Sequence, residues 1–447
     1  MNGIRMLAFG WLVFVLAFCL GLIVSDAGIW PSSLYQQVKH FLAGHSEEGT
    51  SLKEKIENDL NFRPSRHIKT ASEKGGKWLT YQGGFESEKH RELLGLGLQA
   101  RRDNPRVFLS DRAPDGYRLL FGTFDFAKAL HGAILLDHEG RAVHVWPVSQ
   151  EGVDWEHKPD TNIFPHGFEI APDGSIVVAF DSGSTLTKYD YCGNILWQLE
   201  GRFNHSIDFE GEDAIWVWKG FRMVKINYHT GETLKQIPLR TVMNENPEID
   251  IFGILQSDNK DGSRWLDVDG GYWHRNDIDP LPKALEPHYP DFQAGDLLVS
   301  LRSPNLVFVM DQHTYAVKWW RQGLTRRQHD PDWNTKGTIT IFNNNMHRGY
   351  SNIMEIDPAT FAHEVVVDGE AYSFYTWYRG KHQRMPDGGF LVTSPEQGRV
   401  FETDAATGDI TFEFINTYTE GQEYLAVSEA RFLPLDFFTE LPQCEPE

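Results

Sequence analysis

A chain of 447 residues can bury a large core in one or two domains. Its formal net charge of -21 is wrong for a phosphate backbone, which needs clustered cations, so nucleic acid is excluded as a partner. Three cysteines, Cys19, Cys192 and Cys444, are too few for a disulfide scaffold or a cysteine-built zinc site.

In chain order, residues 1–5 form a short leader containing Arg5. Met6 to Ser25 is an uncharged apolar run of twenty residues, enough to cross a bilayer as one helix. Arg5 before it and Asp26 after it place the leader in the cytoplasm and the bulk outside. A cleaved signal peptide fits less well, because the run is long and no small-x-small site follows cleanly. The expectation is a single-pass inner-membrane anchor carrying a periplasmic domain, where a Cys192–Cys444 bridge could form.

Residues 26–115 read as a partly helical linker. "SSLYQQVKHFLAG" spaces Leu34, Val38, Phe41 and Leu42 as one helical face, and "SLKEKIENDLNF" forms a second short helix from a Ser cap. From 116 to 447 the texture is all-β. Units open at Gly132, Gly174, Gly211, Gly295, Gly337 and Gly388, about 40 residues apart except for one long gap. Each unit repeats strand, loop, strand, turn and a strand often carrying Trp or Phe. Such a unit cannot bury its own faces, so the units pack around an axis as a six-bladed β-propeller. The long gap, Arg240 to Phe292, is rich in aromatics and reads as an ordered insertion over one channel mouth.

One histidine recurs ahead of five successive units: His166, His205, His274, His329 and His382. Closed into a ring, these would face one axis. Asn276 follows His274, and His347 with Arg348 lies between the first two strands of the fifth unit. Neutral imidazole can ligate a metal or attack an electrophilic sulfur or phosphorus. No carboxylate accompanies each histidine and no HExxH pair occurs, so no metal or cofactor is expected. Neither a Gly-rich phosphate loop nor a GxSxG elbow is present, which disfavours nucleotide-dependent and serine-hydrolase chemistry.

At these residues the chain resembles the bacterial arylsulfate sulfotransferase (arylsulfotransferase, ASST) family. The resemblance rests on "GAILLDHEGRAVHVW", "WHRNDIDPL", "GDLLVSLRSPNLVFVMD", "RQHDPDWNTKGTITIFNNN" and "HQRMPDGGFLVTSPEQGRVFETD", and covers about Tyr117 to Thr417. It implies a six-bladed propeller that moves a sulfuryl group from a phenolic sulfate ester to another phenol. The route is ping-pong, through a sulfated histidine, without 3′-phosphoadenosine-5′-phosphosulfate. Matched by motif, His274, His329 and Arg348 would hold the sulfuryl oxygens and assist the leaving phenolate. His382 would be the nucleophile, with His347 as its rival. His166, His205, Asn276 and His347 would line the substrate. The partners implied are an aryl sulfate donor and a hydroxyl acceptor. An anchor and a helical linker replace the family's usual cleaved signal and N-terminal β-domain, and "IFNNNMHRG" departs from the family's "FDNG"-like form. A member that has departed this far could instead serve as a non-catalytic propeller in an envelope complex.

Overall fold

The computed structural model describes residues 107–125, 130–148, 164–181, 185–252, 273–416, 425–439 and 444. The expected anchor, residues 6–25, and both expected linker helices lie outside them. Among the described residues no helix is long and apolar enough to cross a membrane.

The described chain begins with β1 (Val107–Leu109) and builds a first blade from β2 (Tyr117–Asp125), β3 (Leu130–Leu136) and β4 (Ala142–Val148). The second blade holds β5 (Phe164–Ile170), β6 (Ile176–Asp181), β7 (Thr185–Tyr189) and β8 (Ile195–Glu200). The third holds β9 (Phe203–Glu210), β10 (Ala214–Lys219), β11 (Arg222–Asn227) and β12 (Thr233–Pro238). The fourth holds β13 (Arg275–Pro280), β14 (Leu297–Leu301), β15 (Leu306–Met310) and β16 (Val317–Gln322). The fifth holds β17 (His329–Trp333), β18 (Ile339–Asn343), β19 (Asn352–Ile356) and β20 (His363–Asp368). The sixth holds β21 (Lys381–Arg384), β22 (Phe390–Ser394), β23 (Arg399–Thr403) and β24 (Ile410–Ile415). Finally β25 (Val427–Leu433) returns as the innermost strand of the first blade. The six sheets make a six-bladed propeller whose inner strands touch in the order β5, β9, β13, β17, β21, β25 and back to β5.

The middle strands are continuous apolar runs because a blade is covered on both faces. LLVSL in β14 and FLVTS in β22 are buried at every residue. The outermost strands face water on one side, so β8 and β12 alternate towards exposure. An apolar cluster fills each blade–blade interface among the described residues. Outer-strand tryptophans tie neighbours together. Trp146, Trp197 and Trp319 donate their indole N–H to the carbonyls of Gly174, Tyr228 and Pro358 in the following blade, at 2.8, 3.0 and 3.1 Å.

The repeats seen in the sequence are displaced by one strand from the blades. Five of the six opening glycines sit in the turn between a blade's innermost and second strands, and Gly132 lies within β3. Gly337 at φ 75° shows why the turn needs glycine: a Cβ there would lie 2.5 Å from the His288 carbonyl oxygen.

Both ends of the propeller are tied across the seam. β1 pairs with β24 (Val107↔Phe414), so the end of the expected linker belongs to the sixth blade. β25 pairs with β2 (Phe121↔Glu429), and Arg118 of β2 meets Glu402 of β23 at 2.9 Å. A Cys192–Cys444 disulfide, Cα–Cα 5.6 Å, fastens the C-terminal segment to the second blade.

The expected insertion is smaller than its sequence suggested. It contains β13, the innermost strand of the fourth blade, because "RNDIDP" is polar and carries no strand-like alternation. Helix α1 (Leu239–Glu245) buries Leu239 and Val242 against Trp216 and Trp218. Residues 253–272 lie outside the described ones.

Candidate active site

Four of the five recurrent histidines converge. The His166 and His205 rings lie 4.7 Å apart, and those of His205 and His274 lie 5.2 Å apart with their Nε2 atoms at 3.4 Å. His329 joins them from the fifth blade. Its Nδ1 lies 2.6 Å from Asn344 Oδ1, and the Arg379 backbone N–H donates to its Nε2 at 3.1 Å. Asn344 donates its own amide hydrogens to the carbonyls of Thr376 and Arg379, at 2.9 and 2.5 Å. Its Oδ1 must therefore accept, so His329 carries its proton on Nδ1. Both nitrogens of His329 are occupied, which makes it a fixed wall of the cluster.

Local irregularity brings these side chains to the axis. His166 sits in a bulge of β5, His205 and Ser206 in a bulge of β9, Asn276 in β13 and Asp330 in β17. His205, His274, Asp330 and Arg379 have φ of 66°, 38°, 51° and 63°, backbone that non-glycine residues seldom adopt. β21 has no bulge, and its register runs unbroken from Lys381↔Thr393 to Arg384↔Phe390. One residue of register decides which side chain meets the axis, so His382 does not join the other four.

The cluster is electropositive, yet its imidazoles are neutral. Burial is the largest cause, and it pushes His166, His205 and His329 well below 6.5. Burial and then Arg302 push His274 down to about 3. Arg302 also acts on His329, and Arg379 on His166. Neutral lone pairs surrounded by guanidinium groups suit an anionic, electrophilic group.

His382 lies in the opposite environment. Its Nδ1 is 2.9 Å from Asp330 Oδ2 and its Nε2 is 3.5 Å from Asp332 Oδ2. It lines a cavity of about 580 Å³ with Glu169, Asp208, Asp279, Asp332 and Glu429. Burial, followed by neighbouring carboxylates, pushes Asp208, Asp279 and Asp332 well above 3.8, and burial pushes Glu169 up to about 7. For Asp330 burial acts upwards, but Lys381 and His382 outweigh it and hold the carboxyl low. These acids follow the histidines along the same inner strands. Across the Asp330 bulge His329 and Asp332 pair with Phe342 and Thr340, so at about 3.3 Å per residue Asp332 stands about 7 Å further down the channel.

Asn276 donates to the Gln328 carbonyl at 2.6 Å and ties the fourth blade to the fifth. His347 and Arg348 are both exposed on the turn after β18, where Arg348 N–H donates to the Asn345 carbonyl. Arg302, in the matching turn after β14 one blade earlier, acts on His274 and His329, alongside Arg275, Arg327 and Arg379. Sequence reading passed over Arg302 and Arg379. "SLRSPN" and "RGYSN" occupy the same turn of adjacent units, which was the available signal for Arg302.

Six four- or five-stranded blades around converging imidazoles define a β-propeller with a histidine-lined axis. The arylsulfotransferase (ASST) family profile matches residues 131–417, most of the propeller. The chain belongs to that family. No curated protein sequence matches the chain. Among solved structures, it is similar to a protein of unknown function from Bacteroides caccae at 10% identity and TM-score 0.45, over 72% of this chain and 99% of that one. It is also similar to virginiamycin B lyase from Staphylococcus aureus at 10% identity and TM-score 0.34, over 57% and 70%. Likeness of that size informs neither substrate nor site.

Proposed function

We propose that this chain transfers a sulfuryl group from an aryl sulfate ester to a phenolic or other hydroxyl acceptor, through a sulfated histidine in the axial cluster. The observation that carries this reading is the convergence of four imidazoles held neutral by burial, with the charges of Arg302 and Arg379 acting on them. An imidazole nitrogen forms a bond to sulfur as the ester S–O bond breaks and the phenolate leaves. The guanidinium groups hold the sulfuryl oxygens where charge builds, and a neighbouring imidazole N–H donates a hydrogen bond to the leaving phenolate oxygen. The acceptor hydroxyl then reverses the sequence, losing its proton as its oxygen takes the sulfuryl group.

His274 is the attacking residue this reading favours. It is half-buried where His166, His205 and His329 are buried, and Arg302 and Arg275 act on it. His382, the match by motif, has a carboxylate 3.5 Å from the nitrogen that would attack. That carboxyl oxygen occupies the approach to Nε2, which disfavours a sulfuryl group there. The uncharged run at residues 6–25 and the Cys192–Cys444 bridge support an inner-membrane anchor with the propeller in the oxidising periplasm.

The test is incubation with 4-nitrophenyl sulfate, followed by release of nitrophenol and by intact mass. Gain of one sulfuryl group, lost in His274→Ala and kept in His382→Ala, supports the assignment. The reverse pattern moves the nucleophile to His382. Neither turnover nor adduct from a range of aryl sulfates, in folded protein, leaves the propeller as a binding subunit. That reading draws on exposed outer-strand residues such as Leu196, Leu234 and Val365.

A further inference from the structure

The acidic half of the channel holds an arrangement that sulfuryl transfer does not use. Asp330 Oδ1 takes Lys381 Nζ at 2.7 Å, and its Oδ2 takes the His382 backbone N–H at 2.5 Å. Every contact it makes is with a donor, so Asp330 is a carboxylate. His382 Nδ1, 2.9 Å from the same Oδ2, must then carry a proton. In the neutral ring Nε2 then holds the lone pair. The His382 side chain is 0% exposed, and this Nε2 has no hydrogen-bond partner. What it faces, at 3.5 Å, is the Asp332 carboxylate Oδ2.

A buried ring nitrogen and a partly exposed carboxyl oxygen turned towards each other leave a place for a cation between them. We propose that a divalent transition-metal ion of the zinc or manganese kind binds here, held by His382 Nε2 and Asp332, with its remaining positions open to the cavity. One ligand atom from each of Asp330, Asp332 and His382 can be chosen so that all lie within 4.8 Å of one another. The separation of 3.5 Å between Nε2 and Oδ2 is close to that of adjacent ligands bonded at about 2.0–2.2 Å. Asp330 has the part such sites give to a carboxylate behind the ligand. It takes the other ring N–H, which sets the tautomer and aims Nε2 at the metal. The mixed nitrogen and oxygen donors select against magnesium and calcium, which take oxygen ligands. The ligands come from β17 and β21, so the ion would also join the fifth blade to the sixth. This site is independent of the sulfuryl assignment, since it shares no ligand with the four converging histidines.

The experiment uses the full chain, purified without a histidine tag and stripped with chelator. Titration with Co2+ is followed by visible absorption, and Zn2+ retention by equilibrium dialysis. The expected result is one ion per chain and a Co2+ spectrum changed from that of the aqua ion. His382→Gln and Asp332→Asn should each abolish retention, and Asp330→Asn should weaken it about 10–100-fold. Asp208→Asn, which removes an acid from the same cavity but no ligand, should retain the ion. An unchanged Co2+ spectrum with wild-type protein overturns the proposal, and would mean that only a proton lies between His382 and Asp332. Equal retention by wild type, His382→Gln and Asp332→Asn overturns it as well. Should either variant fail to fold, the wild-type Co2+ spectrum alone decides.

Discussion

His205 Nε2 and His274 Nε2 lie 3.4 Å apart across two blades, and in a hydrogen bond between neutral rings only one of them carries the proton. One ring therefore offers a lone pair while its neighbour offers a hydrogen-bond donor. That division of labour predicts a dependence on the leaving group. His205→Ala should slow transfer from phenyl sulfate by about 10²-fold, as expected for loss of a donor to the charge developing on the phenolate. It should slow 4-nitrophenyl sulfate much less, because that phenolate concentrates less charge on its oxygen. Rates for a series of substituted phenyl sulfates check this through the slope against leaving-group pKa.

Asn344 fixes His329 and closes two carbonyls at once, all in buried surroundings. Asn344→Leu takes a partner from the His329 N–H and from the Arg379 carbonyl, while the Thr376 carbonyl keeps the Ser351 hydroxyl. The expected cost is about 1–3 kcal/mol for each buried group left unpaired. Urea denaturation measures it. Asn344→Ser, which can restore the bond to His329 but not both carbonyls, should recover part.

Arg118 and Glu402 cross the seam between the first and sixth blades with side chains 1% exposed. Burial raises the Glu402 pKa despite Arg118, so desolvation outweighs the attraction. The pair is therefore a registration device more than a source of net stability. Arg118→Met alone should destabilise by about 3–5 kcal/mol, by stranding a buried carboxylate. Adding Glu402→Leu should return most of that loss, which a double-mutant cycle in urea would show.

Two buried groups should give pH dependences of opposite sign. Burial raises Glu396 to about 8, so the native state keeps a proton that the unfolded chain releases near 4.5. Its contribution is present below 4.5 and is lost as pH rises through about 8. His205 is held neutral well below 6.5, so the unfolded chain takes the proton first and stability falls as pH drops under 6.5. Glu396→Gln should remove about 1.4 kcal/mol per pH unit of slope between these two pKa values, and His205→Gln should reduce the acid-side slope by its one share, the rest staying with His166, His274 and His329. Denaturation midpoints across a pH series separate the two.

Cys192 and Cys444 are 252 residues apart in sequence, and their bond packs beside the aromatic cluster of Tyr117, Phe437 and Phe438. Reduction should cost about 2–5 kcal/mol, since it frees a long loop in the unfolded chain. Thermal melts with and without reductant, compared with Cys192→Ser, test this.

The propeller was legible because blade burial writes itself into local pattern. Strands such as "LLVSL" and "FLVTS" must be apolar throughout, and the turns between first and second strands need glycine at positive φ. β13 was misread as part of an insertion because its residues face the channel and break the apolar pattern. The recurrence of histidine was legible too, and four of the five positions converge. His382 was not separable from them, since the missing bulge in β21 is a property of its pairing with β22.

Sequence by itself therefore determined the family, the six-fold repeat and the residue types available to the axis, because each rests on local pattern. Only the tertiary structure decided which imidazoles meet, which arginines act on them, and that acids gather further along the same strands. Those facts depend on bulges and on contacts between blades, where one residue of register moves a side chain to the other face. Two environments then follow one another along the channel, neutral histidines with Arg302 in one part and His382 among acids, Lys381, Arg384 and Arg431 in the other.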